Sequence, residues 1–152
     1  MAQERTLVLI KPDAVQRGLI GTLIARFEAK GLTVEGCELQ RVDRERAAAH
    51  YAPHRERPFF QALVAYVTGA PVVALALRGD GVIATVRRMV GTTDGREAAA
   101  GTIRGDFGVS PRYNLVHASD SAASAERELA LWFPQGFVRW ERCDRSWLDL
   151  EA

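Results

Sequence analysis

The sequence predicts an α+β fold: an antiparallel four-stranded sheet with helices on one face, an inserted helical hairpin and a C-terminal tail. Three observations predict it. Short apolar runs recur at four places, each too short for a helix and bounded by glycine, proline or polar residues. The segments between them carry apolar residues every three or four positions. In chain order these alternate as strand, helix, strand, helical pair, strand, helix, strand, helix.

The first run, Arg5–Lys11 (RTLVLIK), is rich in leucine and β-branched residues and stops at Pro12, so it reads as a buried strand. Gly18–Gly31 places Leu19, Leu23, Ile24 and Phe27 on one side of a helix that Gly31 closes. Leu32–Val42 alternates loosely and reads as the second strand. Asp43 is a candidate N-cap for a helix over Arg44–Tyr51. Pro58–Thr68 completes the hairpin, with Phe59, Leu63 and Tyr66 on successive turns. Pro71–Leu77 (PVVALAL) is nearly unbroken apolar sequence and reads as a central strand. Gly81–Val90 is helical, with Val82, Ile83, Val86 and Val90 on one side. Thr92–Arg112 lacks a period and holds four glycines, so it reads as a long functional loop. Asn114–Ala118 is a short strand. Ser121–Phe133 is a helix with Ala125, Leu129 and Trp132 inward, ended by Pro134. Without the hairpin the order is βαββαβ, that of a ferredoxin-like sandwich.

The 152 residues fit one domain, taken as 1–152. Twenty basic and nineteen acidic residues leave a net charge of +1, which argues against a polyanion-coating protein. A nucleic-acid reader on this sheet would need exposed aromatics on the strands and a basic face, whereas the strands here are aliphatic. No apolar run approaches the roughly 18 residues of a membrane span. The polar N-terminus and two distant cysteines, Cys37 and Cys143, lead to the expectation of a cytoplasmic protein with reduced thiols.

Chemistry concentrates at Asn114-Leu-Val-His117-Ala118-Ser119-Asp120, where a histidine ends a strand and a helix follows. Such a histidine serves as base, metal ligand, nucleophile or buried structural residue. Its near neighbours Ser119 and Asp120 are poorly spaced for a hydrolase triad, whose members converge from separate segments. His50, His54 and His117 lack the supporting pattern of a zinc site. Arg87, Arg88, Arg104 and Arg112 precede the His117 strand, and guanidinium forks match phosphate oxygens. Lys11 ends a central strand, where burial of its charge is costly unless it meets an anion. Phe59 and Phe60 are adjacent in a helical segment, so they point about 100° apart and only one suits the core.

These residues fall into blocks, Lys11-Pro-Asp-Ala-Val15, Arg57-Pro-Phe-Phe60, Gly101-Thr-Ile-Arg-Gly-Asp-Phe107, Asn114-x-x-His-Ala-Ser-Asp120 and Ser124-Ala-Glu-Arg-Glu128. In this order and spacing they resemble the nucleoside diphosphate kinases, over about residues 5–150. The resemblance implies transfer of a γ-phosphoryl group from a nucleoside triphosphate to a nucleoside diphosphate by a ping-pong route through a phosphohistidine. It makes His117 the nucleophile, with Glu128 orienting it and Ser119 beside it. Lys11 and Asn114 would meet the ribose, Lys11 also the transferred phosphate. Arg87, Thr93 and Arg104 would clamp phosphates, with Tyr51 and His54 also on the phosphate side. Phe59, backed by Leu63, would stack on the base, which gives broad base specificity. Mg²⁺ is the implied cofactor, with no direct protein ligand and Asp120 approaching it through water. The resemblance also implies a homo-oligomer. The tail Arg139–Ala152, with Trp140 and Trp147, resembles the longer tails of hexameric members, a tetramer being the alternative.

Some positions depart from the family pattern. Ala118 and Ala14 stand where glycine is commoner, so a methyl group is expected beside the nucleophile. Gly95 and Ala100 replace prolines frequent in the loop, and Pro111 stands where a small apolar residue often borders the base.

Overall fold

The computed structural model describes residues 3–148. Four strands, β1 (Gln3–Ile10), β2 (Thr33–Gln40), β3 (Val72–Asp80) and β4 (Val116–Ala118), form one sheet in the order β2-β3-β1-β4. All three pairings are antiparallel, with Leu9 opposite His117 and Leu7 opposite Ala76. The two central strands are β1 and β3. Their unbroken apolar runs reflect burial on both faces rather than one.

The helices are α1 (Pro12–Gln16), α2 (Ile20–Ala29), α3 (Arg44–His50), α4 (Phe60–Thr68), α5 (Val82–Val90), α6 (Ile103–Phe107) and α7 (Ala122–Trp132). The crossover helices α2 and α5 cover one face, where Leu23, Phe27, Val82 and Val86 meet Val8, Ile10, Val73 and Leu75. Fully burying a side chain such as Phe27 stabilises the fold by about 2–3 kcal/mol. The other face is also covered. Ala47 of α3, Phe60 and Val64 of α4, and Leu129 and Trp132 of α7 pack on Leu7, Leu9 and Ala74. The hairpin and last helix therefore add a third layer to the two-layer arrangement expected from the element order.

Most element positions agree with the sequence reading, including the Asp43 cap, whose Oδ1 accepts from Arg46 N at 2.7 Å. Gly31, at φ 90°, ends the α2 turn as expected. The differences have physical causes. Pro12 ends the strand but also opens α1, because proline's missing N–H costs nothing in a first helical turn. Strand β3 runs past its apolar stretch to Asp80. The buried Glu35 carboxylate bridges Arg5 and Arg78 at 2.5 and 2.7 Å, which lets these charges lie in the sheet. The 92–112 loop contains α6, capped by Thr102 Oγ1 accepting from Gly105 N. Strand β4 begins two residues later than expected because buried Leu115 takes φ 74° and breaks the extended path.

The tail covers its own chain as far as it is described. Trp140 Nε1 donates to Val34 O at 2.8 Å, and Arg142 donates to the carbonyls of Glu28 and Leu32. Trp147 remains 87% exposed. The expected tail beyond Leu148 lies outside the described residues. No helix among the described residues is long and apolar enough to cross a membrane.

Candidate active site

Strand β4 delivers His117 to the face that carries α3 and α7, because His117 lies opposite Leu9, a residue of that face. Period-two alternation then sends Val116 and Ala118 into the opposite core. The Ala118 methyl is therefore packed in the opposite core and not beside the His117 side chain, contrary to the expectation from sequence. Ala14 is buried in the same core.

Helix α7 presents Glu128 to His117. Glu128 Oε1 is 2.8 Å from His117 Nε2 and accepts from Ser119 Oγ at the same distance. An ionised carboxylate only accepts, so this contact puts the imidazole proton on Nε2 and leaves the Nδ1 lone pair free. Glu128 is almost fully buried, whereas the His117 side chain retains 23% exposure.

His50, at the end of α3, is a neighbour that sequence reasoning missed. Its ring meets that of His117 edge-on, with centroids 4.5 Å apart. Its Nδ1 accepts from Trp132 Nε1 at 3.0 Å. Burial, then the nearby His117 and Arg127, hold its pKa well below the ordinary histidine value. His50 thus stays uncharged beside the candidate nucleophile. The potential ligand atoms of His50, His117 and Glu128 lie within 4.8 Å of one another. They are engaged in hydrogen bonds to Trp132 and Ser119 as well as to each other.

A set of cations borders this group. Lys11 Nζ donates to Asn114 Oδ1 at 2.9 Å, and Asn114 Nδ2 donates to Pro111 O. Burial, reinforced by Arg104 and partly offset by Asp13, pushes the Lys11 pKa down to about 8. Arg104 donates to three carbonyls, those of Asn114, Gly91 and Val116, at 3.1, 3.1 and 2.7 Å. It therefore braces the start of β4, and two of its five N–H groups remain for another acceptor. Burial and the neighbouring Arg87 lower its pKa to about 10. Arg87 donates to Ala118 O at 3.3 Å. Among the described residues, no carboxylate lies within 4.0 Å of the charged atoms of Lys11, Arg87 or Arg104. Cations that repel one another without a paired acid make a site for an anion.

Asp13 holds the junction together. Its Oδ2 accepts from Leu115 N at 3.1 Å, which pins the left-handed residue two positions before His117. Its other oxygen accepts from Tyr66 Oη. Burial and that bond raise the Tyr66 pKa, so the phenol stays protonated.

The remaining residues surround these. The Tyr51 hydroxyl is buried without a hydrogen-bond partner among the described residues, and burial with the Glu128 charge pushes its pKa up to about 12. It is a neutral donor left over beside the site. Lys11, Asn114, Phe59, Leu63, Pro111 and Arg112 line a cleft of about 340 Å³. Phe59 is 47% exposed while Phe60 is buried, the division expected of adjacent helical positions. His54 sits against Phe59, ring centroids 5.6 Å apart. Thr93 is exposed two residues beyond Gly91, and Asp120 is exposed with Oδ1 accepting from Ser124 Oγ at 2.7 Å. A larger apolar cavity of about 610 Å³, lined by Leu129, Phe133 and Phe137, includes none of the candidate residues.

The family model for nucleoside diphosphate kinase matches residues 4–137. The chain belongs to the nucleoside diphosphate kinase family. It is 53% identical over 146 residues to a nucleoside diphosphate kinase of Archaeoglobus fulgidus, covering 95% of this chain and 97% of that one. A relative of the same name from Crocosphaera subtropica is 51% identical, with 95% and 98% covered. The halophilic nucleoside diphosphate kinase of Halobacterium salinarum, solved in complex with CDP, superposes with a TM-score of 0.93 at 45% identity, covering 97% of this chain and 99% of that one. A Babesia bovis family protein superposes at 0.92 and 46% identity, with 95% and 99% covered. Membership in this family makes the chain a phosphotransferase of nucleotides.

Proposed function

We propose that the protein moves a γ-phosphoryl group between nucleotides through His117. The contact between Glu128 Oε1 and His117 Nε2 carries the reading, because it leaves Nδ1 as a neutral nucleophile. The Nδ1 lone pair forms a bond to the γ-phosphorus as the bond to the β–γ bridging oxygen breaks. That electron pair leaves on the nucleoside diphosphate. Phosphorylation makes the imidazole cationic, and Glu128 stabilises the new charge. An incoming nucleoside diphosphate reverses the sequence, its terminal β-phosphate oxygen taking the group.

Lys11, Arg87 and Arg104 stabilise the charge spread over the equatorial oxygens of a loose transition state. Tyr51 adds an uncharged donor and Thr93 a hydroxyl, while Asn114 and Lys11 meet the ribose. The base stacks on Phe59 with Leu63 behind it, and His54, which touches the Phe59 ring, serves the phosphate side with Tyr51. A π-face reads no base edge, which suits broad specificity. One exposed carboxylate, Asp120, does not make a protein-held metal site but fits a water-mediated contact to Mg²⁺ that arrives on the nucleotide. The chemistry this ion supplies when bound is neutralisation of phosphate charge.

The protein works as a homo-oligomer in the cytoplasm. The exposed Leu39 on the edge strand β2 and the exposed Trp147 support self-association. Both free, exposed cysteines suit a reducing compartment. Light scattering on the purified chain distinguishes hexamer, tetramer and monomer.

The direct test is phosphoenzyme formation. Wild type and His117→Ala are mixed with Mg²⁺ and γ-labelled ATP, then quenched in acid and in base. An acid-labile, base-stable label, absent from the variant and discharged by GDP, is expected. An unlabelled wild type would overturn the reading.

A further inference from the structure

We infer that Arg112 reads the exocyclic position of the nucleotide base, favouring carbonyl-bearing bases over amino-bearing ones. The inference rests on the proposed assignment of the Phe59 cleft to the base. Arg112 lines that cleft beside Phe59 and Pro111. Unlike Arg104, it makes no hydrogen bond or ion pair among the described residues. Its guanidinium carbon lies 5.2 Å from the centroid of the Tyr113 ring. Tyr113 in turn packs against Tyr66, centroids 5.5 Å apart, and Tyr66 is tied to Asp13. The guanidinium is thus steadied on an aromatic tier anchored at the base of the site, with all its N–H groups unspent.

A guanidinium has donors and no acceptor. The carbonyl at position 6 of guanine or hypoxanthine, or at position 4 of uracil or thymine, is a matching partner. Guanine and hypoxanthine also offer N7 for a two-point contact. The amino groups of adenine and cytosine at the same positions present donor to donor. Stacking on Phe59 accepts every base, and Arg112 superimposes a preference on it.

The test compares acceptors that differ at that position and in the protonation of the ring nitrogen beside it: IDP against ADP, and UDP against CDP. Labelled phosphoenzyme is mixed with each, and the discharge rate at low acceptor concentration is measured. At a partly exposed site, the carbonyl member of each pair is expected to discharge about fivefold faster. Arg112→Met keeps an unbranched stem without the guanidinium and brings both ratios close to one. Wild-type ratios already near one, or ratios unchanged in Arg112→Met, overturn the inference. An equal slowing of all four acceptors also overturns it, since that assigns Arg112 to phosphate attraction or stacking. Phe59→Ala serves as the control on the cleft. If it slows all four while Arg112→Met leaves the ratios alone, the cleft stands and the inference falls. If it slows none, both fall. Calorimetric affinities of the same four diphosphates give the ratios without turnover, so a protein that forms no phosphoenzyme still tests the role of Arg112.

Discussion

Glu128 Oε1 is shared: His117 Nε2 and Ser119 Oγ both approach it at 2.8 Å. The two contacts do different work. The first sets the imidazole tautomer, and the second holds the carboxylate in place. Glu128→Gln substitutes an amide that can donate as well as accept, so both tautomers of His117 become accessible. Phosphoenzyme formation is expected to slow by about a hundredfold, in the direction of the larger loss seen when a triad carboxylate is neutralised. Ser119→Ala leaves the primary contact intact and removes the bond to Glu128, about 1 kcal/mol or a fivefold effect, together with the longer Oγ contacts to Leu7 N and O at 3.3 and 3.5 Å. Rapid-quench labelling of the two variants checks the order. Equal losses would show that Ser119, not the tautomer, governs the rate.

Lys11 gives the site a pH limit. Its pKa of about 8 means that the free protein loses this charge as pH rises through 8. A bound phosphate favours the charged form, so the limit moves upward in the complex. The expected profile is a fall in kcat/KM above about pH 8 with kcat level to higher pH. Stability moves the other way. The unfolded chain holds this proton up to about pH 10.5, so between about 8 and 10.5 the unfolded state binds more protons and this group adds stability as pH rises. In Lys11→Arg the charge persists and the alkaline fall in kcat/KM should vanish, although the absolute rate drops with the altered reach to Asn114. A fall that persists in Lys11→Arg belongs to another group.

What could be read in the sequence was what repeats with a short period. The division of labour between Phe59 and Phe60 followed from helical geometry, and the inward face of Ser121–Phe133 from its apolar spacing. The residues of the site were marked by their resemblance to a family rather than by any period. The neutral His50 against His117 was not legible. The two residues are 67 apart in sequence (117 minus 50), and only the packing of α3 and α7 on one sheet face brings them together. Leu115 was hidden for a similar reason. A leucine has no local preference for φ 74°, and the hydrogen bond that favours it comes from Asp13 in another element. The orientation of Ala118 could have been found by applying period-two alternation to the strand already assigned.

Tyr66→Phe probes the Asp13 junction without touching the reacting atoms. The phenol donates to the carboxylate that holds Leu115 N. Its loss removes a partly buried donor to a charged acceptor, about 1.5–3 kcal/mol. For a chain of this size that lowers Tm by roughly 3–12 °C. Because Asp13 retains the Leu115 contact, phosphoenzyme formation should change less than in Glu128→Gln. Asp13→Ala removes both contacts and is expected to exceed Tyr66→Phe in both lost stability and lost rate. Thermal unfolding and rapid-quench labelling of the pair measure this. A Tyr66→Phe variant as stable as wild type would leave the bond without energetic weight.

Gly105→Ala tests whether the loop after α5 is a rigid part of the phosphate side. A β-carbon at Gly105 would lie 2.0 Å from Ala99 O, so backbone must move to admit it. Gly105 follows Arg104, whose guanidinium braces the carbonyls of Gly91, Asn114 and Val116. Displacing α6 therefore loosens the residue beside the candidate nucleophile's strand as well as the loop itself. A strained insertion of this kind costs about 1–3 kcal/mol. The nucleotide KM should rise more than kcat falls, because the chemistry at His117 rests on Glu128 in a different helix. Steady-state kinetics with ATP and GDP separate the two parameters. A variant with lowered Tm but unchanged KM would make the loop a stability element that contributes nothing to nucleotide binding.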